Sequence, residues 1–136
     1  MKKLLVLLVC IGLIGCASSL QFSNKISGTQ SYAFSTAPKD ITFNKAVSAL
    51  QKLNYNLTNT DKQGGMIVGQ RMITLFRYLS ITVNMSETDK TKVTTVVRDS
   101  GGIDSFDVFG FFIKHQNAFY KELKAELNNI GYDLHM

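Results

Sequence analysis

The chain has 136 residues, of which 45% are hydrophobic and 18% charged, and its formal net charge is +5 at pH 7. This length is sufficient for one domain with a hydrophobic core and excludes two. The single proline argues against a proline-rich stalk, and basic residues spread along the chain, rather than gathered in a tract, argue against nucleic-acid binding. We therefore expect one domain with no nucleic-acid partner.

The first fifteen residues have the parts of an export signal. Lys2 and Lys3 follow the initiating methionine, residues 4–14 are almost all apolar, and Gly15 precedes a cysteine. The apolar run is too short to span a bilayer as a stable helix, so we predict that residues 1–15 are a signal peptide. Two alternatives are a secretory peptide that is cut elsewhere and an apolar core helix. A core helix, however, would not begin with two lysines and be apolar on every face.

Residues 13–16, with the sequence Leu-Ile-Gly-Cys, end this signal. A thiol lies where diacylglycerol transfer needs a nucleophile, and the motif resembles the lipobox of bacterial lipoproteins. The resemblance implies that Cys16 is acylated and anchors the chain to a membrane leaflet. Cys10 would leave with the signal, so the mature domain would hold no disulfide and no cysteine ligand. Ala17, in place of aspartate, resembles the sorting pattern of outer-membrane lipoproteins in enteric bacteria, which predicts an outer-membrane location facing the periplasm.

Residues 16–29 contain the cysteine and a stretch rich in serine, asparagine and glycine that has no periodicity. We interpret this segment as a flexible tether, and about a dozen extended residues reach about 40 Å. Loss of Lys2 and Lys3 lowers the formal charge to +3, a mildly basic balance that favours anionic head groups or an acidic partner. Residues 30–136 then form the single folded domain.

A strand and a helix are predicted first within this domain. Residues 31–35 alternate between polar and apolar, as in a half-buried strand, and Pro38 ends the pattern. Asp40 lies where a helix N-cap is expected, and turn residues begin again at Asn54. The apolar residues between them have helical spacing: Phe43, Ala46, Val47, Leu50 and Leu53.

Several antiparallel strands with one solvated face are predicted next. Strand patterns begin at Tyr55 and at Met66, on either side of a turn at residues 61–65 whose glycine pair permits positive φ. Residues 79–85 alternate most regularly, and residues 91–98 repeat the pattern. Residues 73–78 join two of these strands without turn residues. The preferred interpretation is a continuous bent strand, and the alternative is an exposed aromatic loop that contacts lipid or protein.

The last predicted element is a long helix over residues 104–129. Its apolar residues fall on one stripe that can cover the dry face of the sheet: Val108, Phe109, Phe112, Gln116, Phe119, Leu123, Leu127 and Ile130. The predicted fold is α+β, in the order β-α-β-β-β-β-α, an antiparallel sheet with two helices on one face. This order resembles the TATA-box-binding-protein-like or helix-grip arrangement, which also occurs in the domains of the BamC-type lipoprotein of the outer-membrane assembly machine. The resemblance assigns no functional residue.

Motifs for catalysis or metal binding do not emerge from the sequence. Asp99, Asp104 and Asp107 surround a glycine turn that could suit a hard cation, but their spacing is not that of an EF-hand, and helix capping accounts for the last two. His115 and His135 have no cysteine to complete a zinc site. Nucleophile-elbow, Walker and dinucleotide-binding patterns are missing. We expect no enzymatic activity, no metal and no cofactor.

Candidate partner contacts are aromatic residues that the predicted core does not require. Phe111 projects about 100° away from the helix stripe. The preferred interpretation is that it packs beneath the loop at residues 99–103 or on the first helix, and the alternative is that it contacts a partner. Phe76 and Tyr78 lie in the segment without turn residues. The preferred function is a membrane-anchored, non-enzymatic interaction or accessory module of the cell envelope that has an envelope protein partner. The alternative is a carrier or enzyme that uses an apolar cavity between the long helix and the sheet.

Overall fold

The computed structural model describes residues 29–75, 77–99 and 111–136. The predicted signal, Cys16 and nearly all of the predicted tether lie outside these residues, as does the predicted start of the long helix at Asp104. The elements, in chain order, are β1 (Thr29–Ser35), α1 (Lys39–Lys52), β2 (Asn56–Asp61), β3 (Met66–Thr74), β4 (Arg77–Glu87), β5 (Thr91–Asp99), α2 (Phe111–Asn128) and β6 (Leu134–His135).

The strands form one sheet in the order β2-β3-β4-β5-β1-β6, in which all neighbours are antiparallel. The predicted α+β class, with two helices and an antiparallel sheet, is confirmed. The short strand β6 was not predicted, because two residues are too few to show a period. It pairs with β1 only at Phe34 and Ser35, so the rest of β1 forms an edge of the sheet.

The core lies between the helices and the odd-numbered residues of the central strands. Along β4, Leu79, Ile81, Val83 and Met85 are buried, and their even-numbered neighbours are half-buried or exposed, which confirms the predicted alternation. Strand β5 follows the same rule. The helices contribute the other large buried side chains: Phe43, Leu50, Phe112, Phe119, Tyr120, Leu123 and Leu127.

Helix α1 begins differently from the prediction. Pro38 occupies the N-cap position, no side chain caps the helix, and Asp40 lies in the first turn, so the prediction that Asp40 is the N-cap was wrong. Pro38 sets the helix entry because its ring fixes φ at −56°. The Thr42 hydroxyl donates a hydrogen bond back to the Pro38 carbonyl at 3.0 Å. The helix ends at Lys52, where the turn residues predict it, and Asn54 adopts a positive φ of 63°.

Helix α2 buries most of the predicted stripe. Phe112, Gln116, Phe119, Leu123 and Leu127 are buried, which confirms that part of the prediction, whereas Val108 and Phe109 lie outside the described residues. Ile130 is 44% exposed, so its assignment to the stripe was wrong. The helix ends before Ile130, and Gly131 turns the chain with a φ of 87°.

A buried polar network fixes the position of α2 on the sheet. The Tyr120 hydroxyl lies 3.0 Å from that of Thr95 on β5, and the Ser31 hydroxyl on β1 donates to Tyr120 at 3.3 Å. Gln116 Nε2 donates to the Thr95 carbonyl at 3.3 Å. Burial raises the pKa of Tyr120, so its hydroxyl stays protonated over the physiological range. Because buried polar atoms are costly to leave unpaired, these contacts favour the observed register of the helix over β5 and β1.

We expect Phe119→Ala to lower the free energy of unfolding by about 3–5 kcal/mol, because the phenyl ring is fully buried and its loss leaves a cavity. Urea denaturation followed by circular dichroism measures the change. The control is Ile113→Ala on the same helix, where the side chain is 48% exposed and we expect a change within about 0.5 kcal/mol. Equal losses in the two variants would contradict this orientation of α2.

Two glycines with positive φ give a second test. At Gly65 (φ 74°), an added Cβ would lie 2.5 Å from the Met85 carbonyl oxygen, whereas at Gly131 (φ 87°) it would meet nothing within 4 Å. Gly131→Ala should therefore cost only the left-handed backbone strain, about 1–2 kcal/mol. Gly65→Ala should cost distinctly more, because the backbone of β4 must also move. Thermal denaturation of both variants tests this order, and a milder Gly65→Ala would contradict it.

Candidate functional site

The β3–β4 hairpin contains the largest group of exposed apolar side chains in the described part of the chain. The two strands pair up to Thr74 and Arg77, and the chain reverses at Leu75. The continuous bent strand expected as one option for residues 73–78 is therefore wrong, because the ladder closes on both sides of a tight turn. Phe76 lies outside the described residues.

Four apolar side chains form what we call the hairpin tip: Met72, Ile73, Leu75 and Tyr78. Leu75 is 80% exposed, Met72 56%, Tyr78 42% and Ile73 39%. Exposed single apolar residues are ordinary on a protein surface, but a contiguous group of this kind is typical of an interaction site. Tyr78 was predicted as a contact residue, whereas Met72, Ile73 and Leu75 were not, because their apolar character in a strand pattern suggests burial.

The strand register places Thr29, the first described residue, at the end of β1 that faces the hairpin tip. Thr29 pairs with Val97, Val97 with Ile81, and Ile81 with Gly69, so these four residues form one row across the sheet. From this row β3 continues for six residues to Leu75, whereas β1 runs in the opposite direction. The residue at which the predicted tether joins the fold therefore lies on the side of the tip.

Positive charge predominates near the hairpin tip. We call the tip end the described residues of β3, β4 and β5 beyond the Thr29 row, together with the first turn of α2. It contains four cationic side chains, Arg71, Arg77, Arg98 and Lys114, and one carboxylate, Asp99. Asp99 is buried and forms an ion pair with Arg77. Counted over these described residues alone, the tip end combines an apolar projection with a net positive charge of three.

Phe111 is placed at the tip end but is half-buried. Its ring packs edge-on against His115, with centroids 4.6 Å apart, and against Phe112 at 5.9 Å, on the margin of the core. The predicted packing of Phe111 within the domain thus accounts for the buried part of its ring. Burial lowers the pKa of His115, and the positive charges of Arg71 and Lys114 lower it further.

Candidate catalytic and metal-binding residues are dispersed. No group of three or more histidine, cysteine, aspartate or glutamate side chains suited to a metal ion occurs within residues 29–75, 77–99 and 111–136. Asp99 pairs with Arg77, and Asp104 and Asp107 lie outside the described ranges. His135 is on β6, opposite Phe34, and is remote in the sheet order from the tip.

Grooves lined by described residues lie at the rim of the domain. One of about 400 Å³ separates α2 from β6, and one of about 540 Å³ separates α1 from β2. Between α2 and the sheet, fully buried side chains such as Phe119 and Leu123 fill the layer. The carrier or enzyme alternative stays a prediction. None of the helices in the described ranges has the length and apolarity needed to cross a membrane.

Comparisons with known proteins assign no functional residue to this chain. No family model matches the chain, and no curated protein matches it. Solved structures that match include "Crystal structure of Ara h 8.0201", which is 13% identical, with a TM-score of 0.40 and coverage of 74% of this chain and 97% of that chain. A likeness this distant establishes neither a family nor a function.

We expect His115 to titrate below its ordinary pKa of 6.5, because burial and the nearby Arg71 and Lys114 disfavour the imidazolium. The unfolded chain then takes up this proton before the folded one does. Stability should therefore fall as the pH drops from 6.5 through the folded-state pKa. A two-dimensional NMR titration of the imidazole measures the pKa directly.

Arg71→Gln should move the pKa of His115 back towards 6.5, since it removes one of the repelling charges. The matched control is Lys121→Gln, farther along the same helix, which we expect to leave the titration unchanged. A His115 pKa at or above 6.5 in the unmodified protein would contradict the packing described for the start of α2.

Proposed function

We propose that this chain is a bacterial lipoprotein, anchored through acylated Cys16, whose single α+β domain acts as a non-enzymatic interaction or accessory module of the cell envelope. The anchor rests on the lipobox-like residues 13–16 at the end of an export signal. The structural observation that carries the proposal is the register in which Thr29 lies at the end of β1 that faces the hairpin tip. An anchored chain therefore has its most exposed apolar surface on the side of its anchor.

Charged side chains of the domain form ion pairs and hydrogen bonds that stabilise its fold. Glu126 on α2, which is buried, forms ion pairs with Lys52 and, at 3.8 Å, with Lys45, both on α1. Asp61 accepts a hydrogen bond from the Gly64 backbone N–H and so holds the β2–β3 turn. These carboxylates hold helices and turns in place, which is the basis for proposing a binding rather than a catalytic role.

The open face of the sheet is the surface proposed for an envelope protein partner. Tyr32 on β1 is 57% exposed, and its ring packs edge-on against that of Phe34, with centroids 5.9 Å apart. Lys92 Nζ on β5 lies 4.8 Å from the centre of the Tyr32 ring. Exposed aromatic rings beside a cation are typical of binding surfaces. Tyr78 continues this face towards the hairpin tip.

Cys16→Ser should abolish incorporation of labelled fatty acid and leave an unprocessed or soluble protein, because the variant lacks the thiol that accepts diacylglycerol. The measurement is metabolic labelling in a bacterial host, with mass spectrometry of the mature N-terminus. Cys10→Ser is the matched control, since Cys10 lies within the predicted signal and its loss should leave labelling unchanged. Label retained in Cys16→Ser would disprove the anchor.

Ala17→Asp tests the proposed location separately. In an enteric host, the variant should stay acylated but move from the outer-membrane to the inner-membrane fraction, because aspartate after the lipidated cysteine is absent from the sorting pattern that this chain resembles. Density-gradient fractionation of the membranes measures the change, with Ala17→Ser as the control. An unmodified protein found in the inner membrane would reject the sorting proposal and leave the anchor standing.

A further inference from the structure

We propose that the hairpin tip is a second membrane contact, which inserts into the head-group region of the bilayer that carries the anchor. This inference rests on the proposed function, because it takes the acylated Cys16 as the first contact. It adds an orientation and a ligand class: the tip end faces the membrane, and anionic phospholipid is its partner.

The first step of the argument is geometric. Leu75 follows the Thr74–Arg77 pair, which on β4 lies four residues beyond the row that contains Thr29, or about 13 Å along the strand direction. Three strand spacings, about 14 Å, separate β1 from β3 across the sheet. Both distances are shorter than the reach of about 40 Å expected for the extended tether. Cys16 and the hairpin tip can therefore be in the same bilayer at the same time.

The direction of β1 favours this orientation over the opposite one. The strand runs from Thr29 at the tip side to Ser35 at the far side, so a chain that comes from a membrane below the tip enters β1 without reversing. The opposite orientation would bring the β4–β5 turn to the bilayer. That turn contains Asp89 and Lys90 and follows Glu87, so it has neither the excess of positive charge nor the exposed apolar side chains that the described residues of the tip end have.

The chemistry of the hairpin tip fits a bilayer surface. Leu75 and Met72 supply apolar side chains for the acyl boundary, and Tyr78 is a residue type enriched at membrane interfaces. Exposed Arg98 and Lys114 at the tip end suit phosphate groups of anionic lipids. Hydrophobic residues that protrude from a basic surface are the combination that peripheral membrane contacts use.

Because the tether holds the domain near the bilayer, a weak contact between the hairpin tip and lipid is sufficient to orient the domain. Once Cys16 is in the bilayer, the tip is confined within about 40 Å of the surface, and its effective concentration there is on the order of millimolar. A tip with little affinity for vesicles as a free domain would then still occupy the bilayer most of the time. The contact therefore orients the domain rather than recruiting it.

The test uses the absence of tryptophan from the chain. In the full-length protein, Leu75→Trp introduces a single fluorophore at the hairpin tip, and Lys90→Trp introduces one at the opposite end, in the β4–β5 turn. Acylated protein is reconstituted into vesicles of phosphatidylethanolamine and phosphatidylglycerol whose acyl chains carry bromine, which quenches nearby tryptophan. We expect strong quenching and a blue-shifted emission for Leu75→Trp, and neither change for Lys90→Trp.

The non-acylated Cys16→Ser chain, made without the predicted signal as residues 16–136, separates the two proposals. We expect it to bind the same vesicles weakly, and the added change Leu75→Asp should weaken that binding by about tenfold, because an apolar side chain is lost and a negative charge faces anionic lipid. The matched change Lys90→Asp should leave vesicle binding within about twofold of that of the Cys16→Ser protein, because residue 90 lies far from the tip. Flotation of vesicles measures the bound fraction.

Each outcome decides one of the proposals. Quenching at Leu75→Trp and not at Lys90→Trp supports the membrane contact. Acylated protein that floats with vesicles but shows equal quenching at the two positions overturns it and leaves the anchor intact. A chain that is not acylated in cells, but whose Leu75→Trp is quenched, overturns the proposed anchor instead. If brominated lipid does not quench Leu75→Trp but an added envelope protein shifts its emission to the blue, the tip contacts that protein and the inference is overturned.

Discussion

The packing of α2 on the odd-numbered face of β5 and β1 is the interaction on which the rest of the structure depends. Fully buried side chains such as Phe119 and Leu123 meet Val83 and Val93 in one continuous core. The hydroxyl groups of Tyr120 and Thr95 then determine where the helix lies along the sheet. Because a shift of one residue would turn every buried side chain of a strand towards solvent, this contact also determines which face of the sheet stays open. The exposed aromatic rings of β1 and the direction of the hairpin tip both follow from it.

The elements whose periodicity reflects burial could be predicted from the sequence. The alternation around Ile81, the helical spacing around Phe119 and the glycine turn before Met66 each have a direct physical cause, and the structure contains all three. Element ends were predicted less well. The N-cap was assigned to Asp40 because its side chain suits that position, whereas the ring of Pro38 sets the entry. Ile130 has the correct spacing for the buried stripe but follows the last residue of the helix.

The candidate site was only partly predictable, because its defining property is exposure. Met72, Ile73 and Leu75 resemble core residues in composition, and the turn between β3 and β4 lacks the glycine or asparagine that usually indicates one. Tyr78 was identified because it stood among apolar residues without turn signals. The common location of Thr29 and the tip depends on pairing between distant strands, which a local pattern does not specify. The packing of Phe111 on His115 likewise needed the three-dimensional arrangement.

The pairing of β1 with β5 and β6 has a consequence for the order of folding. Strands β2 to β5 are joined by short turns and form a meander of neighbours, so their contacts close small loops. The partners of β1 are β5 and β6, which lie far along the chain, and closing so long a loop is entropically costly. The strand next to the predicted tether therefore docks last. We expect the part of the domain nearest the proposed anchor to become ordered last during folding, and a pulling force on the predicted tether to act first on the contacts that form last.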